Sequence, residues 1–183
     1  MRPMNEQKPF AISIIGRKSA GRSRALADLI GVLKSRYIRA GVIKTLKREE
    51  CEVDLPGKDT FEYRARGADK VILLGSKRMA MFANLKQEVP ISELLSEFAG
   101  YDLVFVEGYF SNDLPKIEFH RERSGHPLSV SVQNLVAICT DTKFEIQRSF
   151  GVPCFSIDDL KELADWLQKS MLGSPKEFLK EAR

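Results

Sequence analysis

The segment Gly16-Arg-Lys-Ser-Ala-Gly-Arg-Ser23 carries residues at the spacing of a phosphate-binding loop. It matches the motif G-x-x-x-x-G-K-S/T at every fixed position except the one that Arg22 occupies. In this motif glycines let successive backbone N–H groups wrap a phosphate at a helix N-terminus, and the final hydroxyl can reach Mg²⁺. The alternative is an ordinary turn between a strand and a helix. We predict phosphate contacts from the residues Gly16, Arg17, Lys18, Ser19, Ala20, Gly21, Arg22 and Ser23.

Arg22 changes the chemistry that this loop can support. Its planar guanidinium can pair with phosphate oxygens, but it is bulkier than an ammonium and cannot simply take the place of one. We therefore expect binding to survive the change better than catalysis. Arg17, Lys18, Arg22 and Arg24 follow one another with no acid among them, and this cluster calls for an anionic partner.

The elements that must position the loop alternate along the chain between apolar runs and helical patterns, which is typical of an α/β sheet. Strands are predicted at 10–15, 42–46, 71–74, 79–83, 103–106, 117–119, 135–139 and 154–157. Helices are predicted at 23–36, 59–66 and 91–98, and from a cap at Asp158 or Asp159 to about residue 172. The predicted fold is a P-loop NTPase-like, mostly parallel sheet flanked by helices, with a β-hairpin extension at 71–83.

Length and composition set the remaining limits. At 183 residues we expect a single nucleotide-binding domain over 1–172 and a charged tail over 173–183. The 29 Lys+Arg and 25 Asp+Glu are interleaved, which favours a solvated surface over nucleic-acid binding. No apolar run approaches the roughly 18 residues of a membrane helix, and the first is too short for a signal peptide. Three cysteines without metal-ligand spacing indicate free thiols in a reducing cytoplasm.

Further motifs follow the loop in a recognisable order. They are Asp54-Leu-Pro-Gly-Lys-Asp-Thr60, Glu107-Gly-Tyr109 and Pro115-Lys-Ile-Glu118. Their order and spacing resemble the molybdopterin-guanine dinucleotide biosynthesis adaptor family (MobB) between about residues 12 and 141. Two departures are visible. The loop lysine is Arg22, and the histidines that members often carry after the second strand are absent from Ile43-Lys-Thr-Leu46.

The resemblance implies a dimeric, cytoplasmic P-loop protein that binds GTP with Mg²⁺ and has weak or no GTPase activity. Such a protein assists the synthesis of the molybdenum cofactor, so its partners would be guanine nucleotide and either molybdopterin or the guanylyltransferase that makes the dinucleotide. Nucleic acid and membrane are not expected partners. The alternative is a non-catalytic binding module or scaffold for a partner enzyme. We identify no catalytic residue.

Candidate roles follow for individual side chains. Ser23, Glu107 and Asp54 are predicted magnesium ligands, since Glu107 ends an apolar strand and the family's Glu-Gly motif falls there. The alternatives are a solvated strand-end acid for Glu107 and an ordinary turn acid for Asp54. An arginine at position 17 could act as a finger on the nucleotide of a second copy, or it could be a solvated loop cation.

Recognition of the base and of a second anion is assigned to three more residues. Asp141 could accept hydrogen bonds from the N1–H and exocyclic amine of guanine, which adenine cannot supply. A common strand-end turn is the alternative for Asp141. Lys58 and Lys116 lie in the matching motifs and are candidates for binding a further anionic group, such as the molybdopterin phosphate, against the alternative of solvated lysines.

Overall fold

The computed structural model describes residues 8–46, 54–128, 133–142 and 151–172. They separate into two compact units, Met1–Thr45 with Leu95–Arg183 and Leu46–Leu94. The hairpin expected from the sequence belongs to the second unit. The single domain over 1–172 stays a prediction, and the predicted tail over 173–183 and Cys51 lie outside the described residues. No described helix has the length and apolar character needed to cross a bilayer.

The strands follow the apolar runs of the sequence. Their bounds are β1 Phe10–Ile15, β2 Ala40–Lys44, β3 Lys70–Leu74, β4 Met79–Ala83, β5 Leu103–Glu107, β6 Lys116–Phe119, β7 Leu135–Thr140 and β8 Cys154–Ser156. In the first unit, the described strands form a six-stranded sheet in the order β2-β5-β1-β6-β7-β8. Every neighbouring pair in it is parallel. The predicted α/β fold is confirmed, and the loops after β1, β5, β6 and β7 leave the same edge of the sheet.

Helices pack against the sheet through its buried apolar residues. The described helices are α1 Arg22–Ser35, α2 Asp59–Ala65, α3 Ile91–Leu94 and α4 Lys161–Leu172. The buried stripe of α1 includes Leu26, Leu29 and Leu33, at the spacing of one helix face. Every residue of β5 is buried, as expected for a central parallel strand.

The second strand differs most from the sequence prediction. The second strand lies at Ala40–Lys44 rather than 42–46, because this edge strand buries the small residue Gly41 and leaves Val42 exposed. A Cβ on Gly41 would lie 2.4 Å from the Phe98 ring, so the absence of a side chain permits this packing. The last helix begins at Lys161, whose N–H donates to the carboxylate of Asp159, one of the two predicted caps, at 3.2 Å.

The second unit contains α2 and the antiparallel hairpin of β3 and β4. Ile72 pairs with Met81 and Leu74 with Met79, so these four residues share one face of the hairpin. All four are exposed, with Leu74 at 76%. The Arg64 guanidinium lies 5.0 Å from the centre of the Phe82 ring within this unit. The hairpin therefore presents an apolar ladder that no described part of its own unit covers.

Candidate functional site

The phosphate loop joins the central strand to the first helix. It contains the short 3-10 turn Lys18–Ala20, closed by a hydrogen bond from the Ala20 N–H to the Arg17 carbonyl. Gly16 and Gly21 both adopt positive φ angles, 128° and 71°, which favour glycine. Among the described residues, no side chain caps the N-terminus of α1. The N–H groups of its first turn are thus available to an anion in the way the motif requires.

Gly16 is required by packing as well as by the loop conformation. A Cβ at this position would lie 2.2 Å from the backbone carbonyl oxygen of Phe119 on β6. Side-chain carbons do not approach a backbone oxygen so closely, and backbone cannot move aside as a flexible side chain would. The loop therefore starts in close contact with the end of the neighbouring strand.

Arg22 is held between the ends of β1 and β5. Its Nη1 donates to the Gly16 carbonyl at 2.7 Å, and its Nε donates to the Glu107 Oε1 at 3.1 Å. A Cβ on Gly108 would lie 3.9 Å from the Arg22 Nη2 and 3.1 Å from the Thr45 hydroxyl. The glycine after Glu107 thus makes room for the guanidinium and the Thr45 side chain. The Arg22 side chain is therefore held in one place by Gly16, Glu107 and the space beside Gly108.

Glu107 is the centre of this cluster. Its buried carboxylate accepts a hydrogen bond from the Ser23 hydroxyl at 2.5 Å and lies 3.6 Å from the Lys44 ammonium. Burial by itself raises the pKa of Glu107, but the hydrogen bonds from Ser23 and Arg22 and the charges of Arg22 and Lys44 lower the pKa below its usual value. The carboxylate is therefore ionised at neutral pH.

The structure brings together two of the three predicted magnesium ligands. Ser23 and Glu107 present hard oxygen donors to the same point, and this chemistry suits Mg²⁺. Asp54 lies in the second unit, where its carboxylate accepts from the Thr60 hydroxyl at 3.0 Å and pairs with Arg64 at 3.5 Å. These contacts tie Asp54 to the first and last turns of α2. All three assignments as magnesium ligands stay predictions.

The two lysines proposed for a second anion have contrasting surroundings. Lys58 is exposed at the N-terminus of α2. Lys116 is completely buried, and its ammonium donates to the carbonyls of Leu114 at 3.3 Å and Gln133 at 3.0 Å. Burial lowers the pKa of Lys116, while the charge of Asp113 acts in the opposite direction. An anion at Lys116 would have to compete with two backbone acceptors, and both roles stay predictions.

Asp141 lies directly after β7, where sequence reasoning placed a guanine acceptor. Its Oδ1 accepts a hydrogen bond from the Glu122 N–H at 3.0 Å, and its Oδ2 lies 3.8 Å from the Arg121 Nη1. Arg17 and Ser19 are exposed on the phosphate loop, whereas Ala20 is buried. The base and loop assignments also stay predictions.

Arg121 is a residue at the site that sequence reasoning missed. It follows β6 by two positions, and its Nε lies 4.0 Å from where a Cβ on Gly21 would stand. Its Nη2 pairs with Asp158 at 2.6 Å. The hydrogen bond with Asp158 raises the pKa of Arg121 and lowers that of Asp158. The available signal was its place after a predicted strand, since the carboxyl ends of parallel strands meet at one edge.

Two curated proteins that are similar in sequence to this chain carry the same name. A curated relative from Haemophilus influenzae, named molybdopterin-guanine dinucleotide biosynthesis adapter protein, is 31% identical over 167 residues, covering 90% of this chain and 90% of its own. A relative of the same name from Escherichia coli is 31% identical over 159 residues, covering 81% of this chain and 88% of its own.

Solved structures share the fold. A crystal structure of Bacillus subtilis MobB superposes with a TM-score of 0.71 at 20% identity, over 90% of this chain and 99% of that chain. A MobB homologue from Bacillus stearothermophilus gives 0.64 at 18% identity, over 88% and 97%. The family model for molybdopterin guanine dinucleotide synthesis protein B matches residues 11–141. The chain therefore belongs to the MobB family.

Proposed function

We propose that this protein binds GTP at its phosphate loop and assists the synthesis of molybdopterin guanine dinucleotide in the cytoplasm. The observation that carries the proposal is that Arg22 and Ser23 both donate to Glu107 at the carboxyl edge of the sheet, while Arg22 also donates to the Gly16 carbonyl. Ligands of open α/β sheets bind at this edge. The names of the relatives from H. influenzae and E. coli support the pathway.

The charges at the loop suit a polyphosphate. One carboxylate, Glu107, faces two cations, Arg22 and Lys44, so the described cluster carries an excess of positive charge. The N–H groups at the start of α1 add their partial positive charge in the same direction. The nucleotide phosphates would lie across residues 16–23, and Asp141 would accept hydrogen bonds from the guanine ring.

Magnesium would accompany the nucleotide. Ser23 and Glu107 would hold it. When bound, the ion would neutralise phosphate oxygens. Ser23 and Glu107 already share a hydrogen bond, so the hydroxyl and the carboxylate are oriented towards one another.

We infer weak hydrolysis or none. The guanidinium of Arg22 is engaged by Gly16 and Glu107, and it matches the shape of a lysine ammonium poorly. The same contacts favour the second candidate function, a binding module that holds nucleotide for a partner enzyme without turning it over. Measurable affinity for GTP without phosphate release would distinguish this candidate from a slow GTPase.

Two exposed features suggest partners for this chain, namely the Lys58 side chain and the apolar ladder of the hairpin. Molybdopterin or the guanylyltransferase would bring an anionic group to the exposed Lys58, whereas at the buried Lys116 that group would have to displace two backbone carbonyls. A second copy of the chain would cover the apolar ladder of Ile72, Leu74, Met79 and Met81, because soluble proteins rarely leave contiguous apolar patches in water. We therefore propose a homodimer.

Titration calorimetry with GTP, GDP and ATP, with and without Mg²⁺, tests the proposal together with a phosphate-release assay. We expect Ser23→Ala to weaken GTP binding in the presence of Mg²⁺ by about tenfold, since it removes a hydroxyl directed at the metal position. Ser19→Ala is the matched control, because Ser19 is exposed on the same loop and is assigned only backbone contacts. Equal losses in both variants, or no GTP binding by the natural protein, would contradict the proposal.

A further inference from the structure

Arg121 connects two parts of the candidate site that are far apart in sequence. On one side its Nε lies beside Gly21 at the end of the phosphate loop. On the other side its Nη1 faces the Asp141 carboxylate after β7 at 3.8 Å. Its side chain is 18% exposed, so most of it is covered by these neighbours. The Arg121 guanidinium therefore lies between the phosphate loop and Asp141, the predicted acceptor for guanine.

The Asp141 carboxylate is held at both of its oxygens. Oδ1 accepts from the Glu122 N–H, and Oδ2 faces Arg121. The hydrogen bond from Glu122 restrains the carboxylate, and the nearby charge of Arg121 favours the orientation in which Oδ2 faces the guanidinium. Each oxygen keeps a second lone pair, so the carboxylate can still accept two further hydrogen bonds. This is the capacity needed to pair with the N1–H and the exocyclic amine of guanine.

Asp158 fixes the guanidinium in turn. Its Oδ1 lies 2.6 Å from the Arg121 Nη2, so Arg121 uses different nitrogens for the two carboxylates. Asp158 is 64% exposed, and an ion pair with such a partner contributes little to folding. The pair instead fixes the orientation of the Arg121 guanidinium. A planar guanidinium can hold two acceptors at defined angles, which a lysine ammonium cannot do.

We propose that Arg121 is a positioning residue for base selectivity, which orients the Asp141 carboxylate for guanine while Asp158 anchors it beside the phosphate loop. This inference rests on the proposed function, since it concerns the base of the nucleotide bound there. Arg121 acts through Asp141 and not on the phosphates. Its removal therefore changes which purine is preferred and leaves the affinity for a bare polyphosphate as it is.

The test measures affinities of the full chain for GTP, ATP and inorganic tripolyphosphate. For Arg121→Ala we expect the ratio of GTP to ATP affinity to fall by about tenfold, the value of one well-placed charged hydrogen bond. Tripolyphosphate affinity stays within about twofold. Arg121→Lys recovers part of the ratio, because an ammonium can still hold Asp141 but lacks the second arm for Asp158.

Arg123→Ala is the matched control. Arg123 is exposed on the next turn and its charge acts on Asp158, but the contacts to Asp141 are made by Arg121 and Glu122. We expect this variant to keep the GTP to ATP ratio. The inference is overturned if Arg121→Ala weakens all three ligands equally, if Arg123→Ala has the same effect, or if the natural protein binds tripolyphosphate without preferring GTP. Failure of the natural protein to bind any of the three ligands would instead overturn the proposed function itself.

Discussion

Arg22 within the phosphate loop and Arg121 beside Gly21 differ in the carboxylates they face. Each side chain is 18% exposed. Glu107, the partner of Arg22, is 5% exposed, whereas Asp158, the partner of Arg121, is 64% exposed. A buried carboxylate left without its cations is costly, while an exposed one is readily solvated. The ion pair of Arg22 is therefore needed for the stability of the site, whereas the ion pair of Arg121 can be changed with little loss of stability.

The largest expected difference between the two arginines is in the free energy of unfolding after removal of the partner carboxylate, Glu107 or Asp158. We expect Glu107→Ala to lower the free energy of unfolding by about 3 kcal/mol, because it leaves the guanidinium of Arg22 poorly solvated and unpaired. Asp158→Ala should leave the unfolding free energy unchanged within error. Urea unfolding followed by circular dichroism measures both variants. Equal losses would show that exposure of the carboxylate does not separate the two arginines.

The pH dependence of stability sharpens the same contrast. The pKa of Glu107 is lowered by folding below its ordinary value of 4.5, so the ionised form favours the folded state. This contribution is present above the pKa of the unfolded chain and is lost as the pH falls through the lower folded pKa. We expect the stability gap between the natural protein and Glu107→Gln to be largest at neutral pH and to shrink as the pH falls from 4.5 through the lower folded pKa. Urea midpoints between pH 3 and 7 give the gap, and a gap that widens in acid would contradict the assignment.

Restoring the motif lysine produces the smallest of these effects. We expect Arg22→Lys to raise phosphate release about threefold while changing GTP affinity less, because a lysine fits the phosphates in the transition state better than the engaged guanidinium. Calorimetry and a phosphate-release assay separate the two quantities. Arg24→Lys, on the exposed face of the same helix turn, is the matched control. Turnover that stays equal or falls in Arg22→Lys would count against this role of Arg22.

Much of the fold was predictable from local patterns. The central strands appear as apolar runs because they are buried inside a parallel sheet, and the glycines of the loop mark the turn into α1. The edge strand β2 was displaced by two residues, since small buried residues such as Gly41 carry no apolar signal. Its position depends on the Phe98 ring, which lies in a distant part of the chain.

The candidate site was predictable only in part. Ser23 and Glu107 were expected at the same edge because each follows or ends an apolar strand, and the structure brings them into contact. Arg121 was missed because its place beside Gly21 depends on β6 lying next to β1, and spatial strand order is not visible in local patterns. Lys116 carried no sign of burial either, since lysines are ordinarily exposed.

The contact between Gly16 and the Phe119 carbonyl has a consequence for how descendants of this chain should be interpreted. A lineage that abandoned its nucleotide would still retain Gly16, because any larger residue would push two neighbouring strands apart. A glycine at position 16 in a related protein is consequently weak evidence that the protein binds nucleotide. Ser23 is the more informative position, since alanine could replace it without a steric clash and would remove only the hydrogen bond to Glu107.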